Sequence, residues 1–461
     1  MKKNFIIIAA LAATSLMVSC QKDSIETVDD ISFVRQTLVI DDALTKSIYE
    51  PGKGVHFTGR NEEAVSVFYA DHNDLSHKLK KVLPMKDPIY VKFLSLGEYE
   101  IAHPKISSAS TYDYFCVLNG CLSDIGGKDK NMIASQVFSF QEPKDGSFDP
   151  SCDPLICKPI SNVNISSTLH INDYKRLTAP LKLVLKDSGN KLAGAKVHMV
   201  TLSSSQDKDN KTYYPFAGTC YISLDPSGNF ENNKIETISS DAWSNNVTAN
   251  YHNGKLFKDS MDVWYSIYPT TLKANTELTL IVTTDTKTIS RKVSLPSDVV
   301  VKAGQLNTLS FDISGQGECT EVESICQSFT SFNNTITNPL TASDGNTHKW
   351  EFTGFKHETG KQTLFSNSTQ KVFPEGVCAA KEGTTLKYPT DLIPAGKTIS
   401  KVRIYLHPKD KKKSIDNTNR QNNKDVIVLT EAEHSNQADW QKSFTTTVPN
   451  TTIAAIVFEF N

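Results

Sequence analysis

The chain has 461 residues, of which 49 are Lys or Arg and 51 are Asp or Glu, for a formal net charge of -2. That length exceeds one ordinary hydrophobic core and corresponds to about three domains. The balanced charge, with no concentrated basic face, excludes a nucleic-acid binder, because neutralising phosphates needs clustered Lys and Arg.

Lys2 and Lys3 precede an apolar run from Phe5 to about Val18 that ends in Ser19-Cys20. The run is too short for a stable transmembrane helix and fits a signal peptide. Leu16-Met17-Val18-Ser19-Cys20 resembles a lipoprotein cleavage site, with Met17 where leucine is usual. The expectation is a signal peptide over 1–19, acylation of Cys20, and a polar tether over 20–30; an ordinary secretory signal is the alternative. Gln21-Lys22-Asp23 resembles the tag that sends Bacteroidota lipoproteins to the outer face of the outer membrane. Asp23-Ser24-Ile25 and Asp259-Ser260-Met261 resemble the O-glycosylation sequon of exported proteins of that phylum.

After the tether, strand-forming runs separated by Ser, Thr, Asn and Asp clusters recur, and no long helical period is seen beyond the first twenty residues, so the fold class is all-β. The first strand is 31–40 (ISFVRQTLVI), which contains Arg35; further strands are predicted at 64–69, 89–96, 112–118 and 135–140. These make a first β-sandwich over 31–173. Leu181, Leu183 and Leu185 then alternate with Lys182, Val184 and Lys186, the period of a half-buried strand. Asp187-Ser188-Gly189-Asn190 supplies a turn, and Val197, Met199 and Thr201 are set against Lys196, His198 and Val200 in the next strand. Strands at 220–224 and 261–269, a hairpin of 278–283 with 289–295, and a closing run at 299–313 complete a second sandwich over 174–315. Gly315-Gln316-Gly317 reads as a linker. Residues 319–461, with strands at 348–355, 400–406, 426–429 and 451–460, form a third, jelly-roll-like sandwich. Its 408–425 loop has no apolar anchor except Ile415.

With Cys20 set aside, eight cysteines remain. Cys116 and Cys121, Cys152 and Cys157, and Cys319 and Cys326 are close pairs, with Cys220 and Cys378 over. The spacings are not those of a zinc site; structural bridges and buried thiols both remain open.

Tyr174 to Leu185 (YKRLTAPLKLVL), the tyrosine-rich 261–269 run (MDVWYSIYP) and 299–313 (VVVKAGQLNTLSFDI) resemble the fimbrillins, type V pilus subunits of Bacteroides and Porphyromonas. So do Thr45-Lys46-Ser47, Val55-His56-Phe57 and the V-F-Y of 67–69, with Phe57 where tryptophan is usual. The resemblance covers about residues 28 to 315. It implies two tandem transthyretin-like sandwiches, an arginine-specific cut that removes the lipidated first strand, and filling of the opened groove by a strand from another fimbrial subunit. Arg35 and Arg60 are the candidate cleavage positions. Because the chain continues into a third domain, a tip or accessory adhesin on the cell surface is expected rather than a stalk subunit.

No paired-carboxylate frame, nucleophile elbow, H-E-x-x-H or glycine-rich phosphate loop is present, so no enzyme activity and no cofactor are expected. His72 with His77, and Asp207-x-Asp209-Asn210, lack the company that a metal site needs. In the third domain Trp350, Phe355, Tyr405 and Trp440 are candidate sugar-stacking aromatics, with His407, Asp344 or Asn346 as hydrogen-bonding partners. Trp350 and Tyr405 lie in alternating strands and should point inward, which leaves Trp440 and His407 as the candidate contacts for a glycan or protein receptor. A glycan-binding surface lipoprotein that never polymerises is the alternative function.

Overall fold

The computed structural model describes residues 33–40, 48–50, 54–56, 65–74, 79–81, 90–106, 109–118, 121–126, 132–205, 214–223, 234–329, 339–356, 377–379, 384–406, 426–430, 444–446 and 452–461, apart from single residues within these ranges. Across them the chain is all-β, with 3-10 turns at Pro150–Cys152 and Thr390–Leu392 and no α-helix among the described residues.

Alternation governs the central strand, Ala179–Lys186. Leu181, Leu183 and Leu185 point into the core, and Lys182 points out to an ion pair with Asp262 at 3.0 Å on the neighbouring strand. This strand pairs antiparallel with Ser260–Ile267 and parallel with Asn307–Asp312. The turn after it is built as its residues suggest: Asp187 accepts from the Leu192 N–H at 2.5 Å, and Asn190 takes the left-handed conformation (φ 57) that Asn tolerates.

The next strand, Lys196–Ser204, departs from simple alternation. A bulge between Val197 and Met199 shifts its phase against both neighbours. Val197, Val200 and Leu202 therefore face the second sandwich core, whereas Met199 joins a different cluster behind the sheet. Val200 is an inward residue and Met199 is not, the reverse of the even alternation read from the sequence. The predicted 135–140 strand is two pieces, Met132–Val137 and Phe140–Gln141; between them the Ser139 carbonyl accepts from Thr248 N–H at 2.6 Å. The predicted 348–355 strand is broken into Thr347–His348, Glu351–Thr353 and Phe355–Lys356.

Among the described residues, the three largest hydrophobic clusters follow one another along the chain. The first lies between a sheet ordered Leu169–Ile171, Phe33–Ile40, Glu98–Pro104, Tyr90–Ser95 and a sheet built on Val65–Asp71 and Thr111–Leu118. The second lies between the Ala179–Lys186 sheet and a long sheet through Asn246–Leu256, Lys196–Ser204, Glu277–Thr284 and Lys287–Ser294. The third collects Ile325, Trp350, Tyr388, Val402, Ile456 and Phe458.

Sheets buried on both faces join these cores. Val67 and Tyr69 enter the first core, while Phe68 and Ala70 on the opposite face pack with Val137, Ala217 and Ile222. That is why Val65–Asp71 is nearly all apolar rather than alternating. Across the 173/174 boundary, Met132–Val137 pairs with Ala217–Ser223, and Phe140–Gln141 with Asn246–Leu256. At the same boundary Arg176 clamps buried Asp153, with Nε 2.7 Å and Nη2 2.7 Å from its carboxylate, and Thr178 donates to Asp153 at 2.6 Å.

The strand Cys319–Ser328 belongs to two sandwiches. Cys319 to Glu323 pair with Lys287–Ser294, and Ser324 to Ser328 pair with Thr452–Phe460. The glycines before it permit close contact: a Cβ on Gly315 would stand 2.5 Å from Nη1 of the buried Arg291. Behind the second sheet, Phe140, Met199, Cys326, Tyr405, Ala454, Ala455 and Val457 form one cluster drawn from all three predicted domains.

Candidate functional site

The strand Phe33–Ile40 is seated between Glu98–Pro104, antiparallel over seven residue pairs, and Leu169–Ile171, parallel over three. Period two puts Val34, Gln36, Leu38 and Ile40 on its inner face and Arg35 on the outer. Val34, Leu38 and Ile40 belong to the first core, and their burial contributes roughly 5–9 kcal/mol at the usual value per aliphatic side chain.

Gln36 is the polar member of the inner row, and it is held from both ends. Its Nε2 donates to the carbonyls of Asn164 at 3.0 Å and Ser167 at 2.8 Å, and its Oε1 accepts from the Tyr114 hydroxyl. Two carbonyls at one end and a hydroxyl at the other fix the orientation of the amide. Behind Tyr114 lies His103, fully buried, with Nε2 2.8 Å from the Tyr114 hydroxyl and Nδ1 2.9 Å from the Pro104 carbonyl. A carbonyl only accepts, so Nδ1 carries the proton of the neutral ring. The single Tyr114 proton then faces two acceptors, Nε2 of His103 and Oε1 of Gln36.

The ring of His103 stacks on Tyr69 with centroids 3.9 Å apart. Burial lowers its pKa to about 4, against a smaller upward pull from the Pro104 carbonyl. Burial also pushes Tyr69 up to about 12 and raises Tyr114 further.

Of the two candidate cleavage arginines, Arg35 is described: its side chain is 51% exposed and lies 3.6 Å from Glu100. Its peptide bond to Gln36 falls inside the paired strand, so a cut there leaves Gln36 to Ile40 covalently attached to the domain and still seated. Arg60 lies outside the described residues, as do Cys20, His407, Trp440 and the 408–425 loop. In chain order Arg60 falls between Gly54–His56 and Val65–Asp71, so a cut after it would sever the whole of Phe33–Ile40 from the remainder of the chain.

Thr452–Phe460 is held differently. It pairs with Cys319–Ser328 on one edge and Ile399–Leu406 on the other. Ile456, Phe458 and Phe460 enter the third core, and Ala455 and Val457 enter the cluster behind the second sheet. Glu459 is buried and bonded to Arg403 Nε at 2.6 Å.

The aromatic candidates divide. Trp350 is 1% exposed, donates from Nε1 to Gln327 at 3.1 Å and meets Phe329 edge-on, so it is a core residue. Tyr405 is also buried, as its alternation predicts, but in the cluster behind the second sheet rather than inside the third sandwich. There it hydrogen-bonds Thr201. Asn346 donates to Asp344 at 2.8 Å within one turn. His72 pairs with Asp113 at 2.8 Å, and His77 and 207–210 lie outside the described residues.

Of the cysteines whose side chains are described, Cys116, Cys152, Cys157, Cys220, Cys319 and Cys326, none is joined in a disulfide, and all but Cys319 are buried. Burial pushes the thiols of Cys116 and Cys326 up to about 12, which keeps them neutral and unreactive. Among the described residues no group of three or more His, Cys, Asp or Glu is placed to hold a metal ion. No helix there is long and apolar enough to cross a membrane.

The Gln36 network and the Arg176–Asp153 clamp escaped the sequence reading. A signal for the first was present: Gln36 stands at an inward position in an otherwise apolar period-two row.

No protein-family model matches the chain, and no curated protein matches it. Among solved structures it is similar to a candidate cell adhesion protein from Bacteroides uniformis, at 12% identity and TM-score 0.33, covering 63% of this chain and 97% of that one. A candidate cell adhesion protein from Bacteroides ovatus is 12% identical at TM-score 0.35, covering 64% and 96%. A fimbrial assembly protein from Parabacteroides distasonis is 13% identical at TM-score 0.27, covering 63% and 95%.

Proposed function

We propose that this protein is a non-catalytic cell-surface subunit of an adhesive fibre, one that accepts a strand from a neighbour and occupies a tip or accessory position. The lipoprotein-type start and the fimbrillin-like motifs supply the class. The observation that carries the reading is the contrast between two strands. Phe33–Ile40 fills a groove on one core, and a single cut downstream of it would free it whole. Thr452–Phe460 is paired on both edges and buried on both faces, so its withdrawal would dismantle two cores. Backbone pairing and apolar burial are enough for assembly of this kind, and no cofactor takes part. The partners are another fimbrial subunit at the groove and a receptor, glycan or protein, at the far end.

N-terminal sequencing with intact mass of protein recovered from the cell surface tests this. A terminus at Asn61 is expected, because only a cut past the whole strand opens the groove. A full-length chain acylated at Cys20 would contradict strand release and favour a fixed surface lipoprotein.

A further inference from the structure

We propose that Gln36 marks a specificity position: the groove under Phe33–Ile40 selects an incoming strand that carries a glutamine between its apolar anchors, at the site where Gln36 now sits. The inference rests on the strand-exchange reading above and deepens it by naming the chemistry of the partner strand.

The groove is not uniformly apolar. Three of its four inward positions are aliphatic, filled by Val34, Leu38 and Ile40, and the remaining one is lined by hydrogen-bonding groups of fixed polarity. Toward the 164–167 turn it offers two carbonyl oxygens, which can only accept; that of Asn164 also accepts from the Ser167 N–H at 3.0 Å. Toward the core it offers the Tyr114 hydroxyl, backed by His103 at 2.8 Å.

A glutamine satisfies both ends, because its NH2 carries two protons and its oxygen accepts. A glutamate of the same length would set a carboxylate oxygen against the Asn164 and Ser167 carbonyls, acceptor against acceptor. A leucine would fill the volume and leave those carbonyls without the donor they have now. The polar position also fixes register. A slip by two residues keeps the same face inward but places Val34 or Leu38 over the carbonyls and the amide among apolar side chains. The partner is therefore a strand with the inward pattern apolar, Gln, apolar, apolar, supplied by a second polypeptide.

The test uses the full chain with a site-specific protease sequence inserted after Arg60, cut while folded and kept as the nicked molecule. Synthetic peptides of sequence FVRQTLVI, and the same with Gln36→Glu or Gln36→Leu, compete to replace the severed strand, and bound peptide is read by native mass spectrometry. The Gln peptide is expected to be retained at least tenfold more tightly than the Glu peptide, about 1.4 kcal/mol, with the Leu peptide between them. Retention of all three within twofold of one another overturns the specificity claim and leaves strand exchange standing. Retention of none overturns strand exchange itself, and the specificity claim with it.

Hydrogen exchange in the uncut chain gives the same comparison without a nick. Gln36→Glu and Gln36→Leu are expected to speed exchange of the 33–40 amides more than fivefold, Glu more than Leu, while the 179–186 amides are unchanged. Equal exchange in wild type and both variants contradicts the assignment.

Discussion

Phe33–Ile40 and Thr452–Phe460 are both interior strands, yet the first packs on one core and the second is buried on both faces. The first touches one hydrophobic core with three aliphatic side chains and one glutamine, and its outer face carries the exposed Arg35. The second serves two clusters at once, Ile456 and Phe458 on one face and Ala455 and Val457 on the other, with a buried Glu459 bound to Arg403. Removing a strand from one core costs that core; removing a strand shared between two costs the joint as well. The difference separates a strand held by one core from a strand held by two clusters.

Mutation should break the comparison first at the shared strand. Phe458 is buried against Trp350 and Tyr388. Phe458→Ala should cost about 3–5 kcal/mol in chemical or thermal unfolding, with loss of protection spreading to 319–328 and 399–406. Leu38→Ala should cost about 3 kcal/mol, within the range for buried leucines. Its effect should stay with 33–40 and the strands beside it when amide exchange is tracked peptide by peptide.

Acid should sharpen the contrast. The pKa of His103 near 4 lies below the ordinary 6.5, because burial disfavours the charged ring. An opened state takes up a proton that the seated state does not, so stability is intact above pH 6.5 and declines as the pH falls toward 4. The loss should be about 1.4 kcal/mol at pH 5.5, concentrated in the first sandwich. In His103→Phe that pH slope should vanish from the 33–40 amides. A smaller effect is expected at the joint: Tyr405→Phe removes the hydrogen bond to Thr201 and should cost about 1 kcal/mol, seen as a lower unfolding midpoint with no change at 33–40.

Legibility in the sequence tracked the number of faces a strand buries. Ala179–Lys186 has one buried face, and its Leu and Lys residues alternate as a period-two reading requires. Val65–Asp71 is buried on both faces, so its apolar run identifies a strand but not which side chain meets which core. The bulge at Val197 to Met199 carries no composition signal, and it sends Met199 into a cluster with Phe140 and Tyr405, each more than fifty residues away. Polar residues were the least legible. Arg176, Arg291 and Gln36 resemble surface residues in one dimension, and only the folded neighbours, Asp153, Gly315 and Tyr114, give them their roles. Of the candidate site residues, Arg35 was readable as an exposed strand position, whereas the consequence of cutting there depends on pairing that continues from Gln36 to Val39.

Hydrogen exchange on the intact chain, comparing the 33–40 and 452–460 amides across a denaturant series, measures whether the first strand opens separately from the second. Residues 33–40 should exchange through a partial opening with a shallow denaturant dependence, while 452–460 should exchange only with global unfolding. Exchange of 452–460 through an opening as shallow as that of 33–40, or shallower, would contradict this.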